Sequence, residues 1–164
     1  MTGRVLVAGI GNLFLGDDGF GPEVVRRLAA GGSPPPGVRV TDYGIRGMHL
    51  AYDLLDGWDS LVLVDALPAS SGPPGQVIVM EIGPGDREPG RLDAHGMQPV
   101  AVLGSLSAMG GKLPPTYIVG CPVESTHEGI GLSPAMSAAV PAAIDTVLDL
   151  LDRLPEPLTD RGRP

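Results

Sequence analysis

Residues 4–30 read RVLVAGIGNLFLGDDGFGPEVVRRLAA, and the order of residue types within them decides the fold class. Residues 4–10 (RVLVAGI) are a β-branched apolar run without alternation, the pattern of a strand buried on both faces. A glycine-rich loop follows, and then residues 22–30 (PEVVRRLAA), where Pro22 suits the first helical position and Gly31-Gly32 form the stop. Strand, glycine loop and helix in that order open an α/β fold, in which helices cross between parallel strands.

The alternation continues outward from this unit. Residues 38–41 (VRVT) predict a second strand, and Met48, Ala51, Leu54 and Leu55 supply the apolar stripe of a second helix that Gly57 closes. Residues 60–67 (SLVLVDAL) are the clearest central strand and 76–82 (QVIVMEI) another. The connection at 68–75 is too short for a crossover helix, so these two strands are expected to pair antiparallel with each other. A loop rich in glycine, proline and charge covers 83–96, and a helix is expected over 100–109. Residues 116–121 (TYIVGC) predict a fifth strand, and 133–154 a long final helix with Ser133 as N-cap and Pro134 at the first position. Pro141 should kink that helix or mark a late start. The expectation is a single three-layer α/β/α domain over 1–154 around a mostly parallel sheet of about five strands, with 155–164 as a flexible tail.

Composition narrows the class of partner. The chain has 164 residues and a formal charge of −8, which argues against a surface built to hold nucleic acid or anionic lipid. No apolar stretch in the sequence approaches the ~20 residues needed to cross a bilayer, so no membrane partner is expected. The first four residues run directly into a strand-like segment rather than a signal-peptide core, so the cytoplasm is the expected compartment. A single cysteine, Cys121, which excludes an intramolecular disulfide and a multi-cysteine zinc site, agrees with a reducing environment. Nothing in the sequence calls for more than a monomer.

Ligand sites of such sheets lie beyond the carboxyl ends of the strands. Three places put ionisable groups there: Asp17-Asp18 after the first strand, Asp65 near the end of the third, and His95 in the loop before the third helix. Two carboxylates and an imidazole suit a divalent ion such as nickel or zinc, and equally an acid/base pair with an orienting partner. An aspartate beside a helix can also be a simple cap worth ~1 kcal/mol. Asp17 is open to three readings: a group supporting Asp18, a base, or a charge at a helix N-terminus. A dinucleotide fingerprint is excluded, because Gly9 and Gly11 are followed by Phe14 where the third glycine should permit close helix–strand packing. Asp42 stands where a ribose-binding acid would, but Asp17 and Asp18 would repel a pyrophosphate. No Walker A or G-x-S-x-G sequence is present. Cys121 reads as a buried structural thiol, His127 with Glu124 and Glu128 as a solvated turn or a substrate-facing rim, His49 as surface, and Trp58 and Leu61 as core boundary.

Taken whole, GIGNLFLGDDGFG at 9–21 resembles the N-terminal signature of the nickel–iron hydrogenase maturation endopeptidases. The resemblance extends in register through DYGIRGM at 42–48, LVLVDAL at 61–67, HGMQPVAVL at 95–103 and GCPVESTHEGIGLS at 120–133. It implies an α/β endopeptidase that removes the C-terminal extension of a nickel–iron hydrogenase large-subunit precursor after nickel insertion. The family's metal-contacting residues fall on Asp18, Asp65 and His95, with nickel as the ion carried by the precursor rather than a resident cofactor. Asp18 stands where some members carry Glu, one methylene longer. The loop Gly44-Ile45-Arg46-Gly47 departs from the G-G-T-x-G of other members, and Arg46 there bears on which precursor is accepted. The same trio would also serve a non-catalytic nickel-binding or metallochaperone module, which would bind nickel and cleave nothing. A nucleotide-binding domain with a degenerate first loop is a weaker rival, disfavoured by the loop acids.

Overall fold

The computed structural model describes residues 3–82, 106 and 108–154. Within them, strands β1 (Val5–Ile10), β2 (Val38–Gly44), β3 (Ser60–Leu67), β4 (Ile78–Ile82) and β5 (Thr116–Pro122) form one sheet in the order β2-β1-β3-β5-β4. β1 pairs in parallel with β2 and β3, β3 with β5, and β4 alone runs antiparallel, against β5. The expected antiparallel pairing of β3 with β4 does not form: β5 lies between them and is the strand that β4 pairs with, antiparallel.

Helices α1 (Phe20–Ala30), α2 (Gly47–Leu54) and α3 (Pro134–Arg153) cover the sheet. The alternating side chains of the strands separate into two apolar layers. Val5, Val7, Val62, Val64, Val119 and Cys121 pack with α1 and α3, through Phe20, Val24, Met136, Val140 and Val147. Leu6, Ala8, Leu61, Leu63, Leu67 and Ile118 pack with α2, through Leu50, Ala51 and Leu54. Complete burial of one such side chain is worth roughly 1.5–3 kcal/mol, so these layers supply the main driving force for folding. β3 is buried at every position, as the unbroken apolar run predicts.

Several boundaries differ from expectation. α1 begins at Phe20, two residues early, which places Pro22 third in the helix, still within the first turn where backbone N–H groups have no intrahelical acceptor. β2 continues through Asp42 to Gly44; as an edge strand it carries the half-buried Thr41 and the exposed Asp42, so no apolar run marks its end. α3 passes without interruption through Pro141, on its exposed face, and so neither starts late nor breaks there. At 20 residues and a mean hydropathy of 1.3, α3 is long and apolar enough to cross a membrane, contrary to the sequence expectation. Its apolar side nevertheless lies in the core: Met136, Ala139, Val140, Ala143, Val147, Leu150 and Leu151 are all buried. The predicted loop at 83–96 with His95, most of the predicted helix at 100–109, and the tail at 155–164 lie outside the described residues.

Chain order and sheet order together locate the functional edge. From β1 the chain crosses by α1 to β2 on one side, and from β2 it crosses by α2 to β3 on the other. The carboxyl ends of β1 and β3 therefore flank the topological switch point, where open α/β sheets bind ligands. Asp17 and Asp18 follow β1, and Asp65 is on β3.

Candidate active site

The glycines of residues 9–21 exist to let α1 lie almost on the strands. A Cβ built on Gly21 would stand 2.2 Å from the Val64 carbonyl oxygen and 2.4 Å from that of Ile10, distances no side chain tolerates. Gly21 thus performs the close helix–strand packing that the dinucleotide fingerprint would have assigned to position 14. Gly11 does the same for the loop: its φ is 147°, and a Cβ there would meet the Asp18 carbonyl oxygen at 1.9 Å. These approaches press the single 3-10 turn Gly16–Gly19 against the end of β3.

Two neighbouring aspartates in that turn have different surroundings. Asp18 accepts a hydrogen bond at Oδ2 from the Asn12 backbone N–H (2.8 Å) and is partly exposed. Asp17 has no exposed surface. Its Oδ2 accepts from the N–H groups of Glu124 and Ser125 and from the Ser133 hydroxyl, each at 2.9 Å, and its Oδ1 accepts from the Ser133 N–H at 2.7 Å. Burial pushes its pKa up, but the backbone donors of Ser133, Ser125 and Glu124 and the Ser133 hydroxyl together outweigh it, and the net shift is below the ordinary value. Three of the four donors converge on Oδ2 and one on Oδ1, and no surface of the residue is open to a water, which counts against the reading of it as a base. Ser133 precedes α3 in extended conformation, as expected of an N-cap, but makes no side-chain cap bond; its hydroxyl is given to Asp17.

Asp65 is 2% exposed and shares parity on β3 with Leu61, Leu63 and Leu67, on the α2 side of the sheet. Its pKa stands well above 3.8, first because burial disfavours its charge and second because the negative Asp18 is close; a hydrogen bond from the Ala66 backbone opposes both. The structure therefore brings Asp18 and Asp65 within electrostatic reach, and the charge of Asp18 disfavours the ionised form of Asp65. Among the described residues, neither has an ion-pair partner, and no three metal-binding side chains gather. His95, the third predicted member, is outside the described residues.

The remaining candidates fall into place around this edge. Cys121 is fully buried, and burial, aided by the charge of Asp17 and opposed by a hydrogen bond from the Gly75 backbone, pushes its thiol up to about 11, so it holds no thiolate near neutral pH. Glu124, His127 and Glu128 are exposed in the loop before α3, and His49 is exposed on α2. Trp58 is buried under the Arg4 guanidinium, 4.2 Å from the ring centroid, and Leu61 is core. Arg46 is folded back on the end of β2, donating to the carbonyl oxygens of Tyr43 (3.2 Å) and Asp42 (3.0 Å). An apolar pocket of about 260 Å³ lined by Leu28, Val40, Ile144, Leu148 and Leu151 lies by the C-terminal end of α1, away from the acids.

A family profile described as HycI, hydrogenase maturation protease, matches residues 22–150. The chain belongs to the hydrogenase maturation protease family. It is 29% identical to the hydrogenase 2 maturation protease of Escherichia coli K12 over 90% of each chain. The protease also has the fold of the E. coli hydrogenase maturating endopeptidase HybD, with a TM-score of 0.78, 29% identity and coverage of 92% of this chain and 93% of the other. A hydrogenase 2 maturation peptidase from a Thaumarchaeota archaeon superposes with a TM-score of 0.70 at 33% identity, over 91% and 98% of the two chains. The protease is thus an endopeptidase of hydrogenase maturation, with an α/β domain whose five-stranded, mostly parallel sheet carries Asp18 and Asp65 at one edge.

Proposed function

We propose that the protease removes the C-terminal extension of a nickel–iron hydrogenase large-subunit precursor, and does so only once the precursor holds nickel, which it reads through Asp18, Asp65 and His95. One observation carries this reading: Asp65 is almost completely buried beside a second acid and, among the described residues, has no cationic partner. Such a pair favours a proton on Asp65 until a cation arrives. A divalent ion between the carboxylates reverses the balance, because an opposite charge stabilises both anions. An ion presented by the precursor would therefore complete the site and align the adjacent peptide bond with it, so that proximity makes cleavage depend on loading.

The reaction is hydrolysis of one peptide bond: water adds to the scissile carbonyl, the C–N bond breaks, and the leaving amine takes up a proton. Groups at the sheet edge orient that water and accept its proton as the charge balance shifts. The exposed loop residues Glu124, His127 and Glu128 stand beside the same edge and form the rim a folded precursor would meet. A cytoplasmic location belongs to the same proposal.

Intact mass of the cognate precursor, loaded or not with nickel and incubated with the protease, tests it. Loss of a C-terminal peptide from the loaded form alone is the expected result. Cleavage of both forms would remove the nickel check, and cleavage of neither, with tight nickel binding by the isolated chain, would favour the metallochaperone reading.

A further inference from the structure

Asp17 is consumed by hydrogen bonds within the protein, yet it lies one residue from Asp18 in the turn at the functional edge. We propose that Asp17 is a positioning residue for the peptidase reaction, one that sets the direction of the Asp18 carboxylate by locking the 16–19 turn to residues 124–133. The inference rests on the reading of Asp18 as a site residue.

The geometry makes this a lock rather than a loose contact. All four donors on Asp17 come from the segment 124–133, three of them backbone N–H groups that cannot move without moving the loop. The backbone completes the join: the Asp17 N–H donates to the Ser125 carbonyl (3.0 Å), the Gly16 N–H to that of Gly129 (2.9 Å), and the Gly129 N–H to that of Phe14 (2.8 Å). In a 3-10 turn successive side chains are rotated by roughly 120°, so fixing the direction of one residue fixes that of the next. With Asp17 pinned toward the loop, Asp18 is held where its Oδ2 receives the Asn12 N–H. That hydrogen bond is a reporter of Asp18 and involves neither Asp17 nor its partners.

Asp17→Asn presents an NH₂ to N–H donors, so at least one side of the lock opens. Ser133→Ala removes one of the four bonds, and Ser133→Thr retains the hydroxyl. Processing of nickel-loaded precursor should show kcat lowered about 10²-fold in Asp17→Asn, the cost of a misplacement near 1 Å, with KM unchanged. Ser133→Ala should lose about tenfold, as expected for one charge-assisted hydrogen bond, and Ser133→Thr should recover it. The amide resonance of Asn12 should shift and lose exchange protection in Asp17→Asn and Ser133→Ala, while amides of β3 and α3 keep theirs.

A kcat that falls only in step with the folded fraction, with the Asn12 amide unmoved, would overturn the positioning role. If Asp17→Asn does not fold, the Ser133 pair decides alone, and equal kcat in Ser133→Ala, Ser133→Thr and wild type overturns it. Asp65→Asn run in the same assay separates this proposal from the one beneath it. Wild-type processing by Asp65→Asn removes the site reading, whereas an inactive Asp65→Asn beside a fully active Asp17→Asn removes the lock alone.

Discussion

Asp17 and Asp65 are both buried aspartates at the same edge of one sheet, and their ionisation is pushed in opposite directions. Among the described residues, Asp17 meets four donors that favour its anion, while Asp65 meets one backbone donor and a neighbouring negative charge, and its ionisation is disfavoured. Neither presents appreciable surface to solvent, but Asp65 lies deeper in the fold, so desolvation is the largest influence on it, whereas at Asp17 four donors outweigh the cost of burial. The difference divides the labour: one anion is satisfied inside the fold and shapes it, the other is disfavoured as an anion and can answer to a cation from outside.

The comparison can be broken most severely at Asp65. Asp65→Asn should lower precursor processing by at least about 10²-fold. It should also raise stability at neutral pH, because the amide imitates the protonated acid without the charge. The raised folded pKa of Asp65 gives stability that is complete below the ordinary value of 3.8 and is lost as pH rises through the folded value. In urea melts across pH, the advantage of Asp65→Asn over wild type should therefore grow on going upward from pH 3.8.

Asp17→Asn should show the reverse sign, costing about 3 kcal/mol near neutral pH through lost hydrogen bonds to a charged group. Its lowered folded pKa gives stability present above the ordinary value, so the deficit against wild type should shrink as pH falls below 3.8 through the folded value. Equal pH dependence in the two variants would dissolve the contrast.

Gly21→Ala sharpens it, since α1 could no longer lie against Val64 and the Asp18 turn would move away from Asp65. A loss of about 1–3 kcal/mol is expected from the overpacking, together with a titration of Asp65, followed by its carboxyl NMR signal, that moves back toward ordinary values. The smallest effect is expected at Cys121, whose thiol is buried for packing: Cys121→Ala should cost about 1 kcal/mol in a thermal melt and leave processing at the wild-type rate.

Much of this architecture is legible in the sequence because it is local. β1, β3 and β5 announce themselves as apolar runs, and their spacing is enough to put Asp17, Asp18 and Asp65 at one edge. The end of β2 is not legible, because an edge strand has no second neighbour to demand apolar residues there. The start of α1 at Phe20 is obscured because Pro22 is tolerated anywhere in a first turn. Gly21 is visible as a letter but not as a contact, since its reason lies in the carbonyls of Ile10 and Val64. Asp17 is the extreme case. Its partners are more than a hundred residues away, and no periodicity or cap pattern links Asp17 to Ser133. The trio at the site came from strand ends and from a resemblance together, and the structure speaks to Asp18 and Asp65 of the three.

That separation has a consequence for the order in which the molecule is made. The donors that close on Asp17 lie 107, 108 and 116 residues further along the chain. β1, α1 and β2 can pair while synthesis is still under way, since their contacts are near in sequence. The turn bearing Asp18 cannot be locked until residue 133 has left the ribosome, by which time β3 and β5 are available to complete the sheet. A nascent chain therefore carries the acids long before it carries the site, and the protease gains its geometry only after the segment 124–133 has been made.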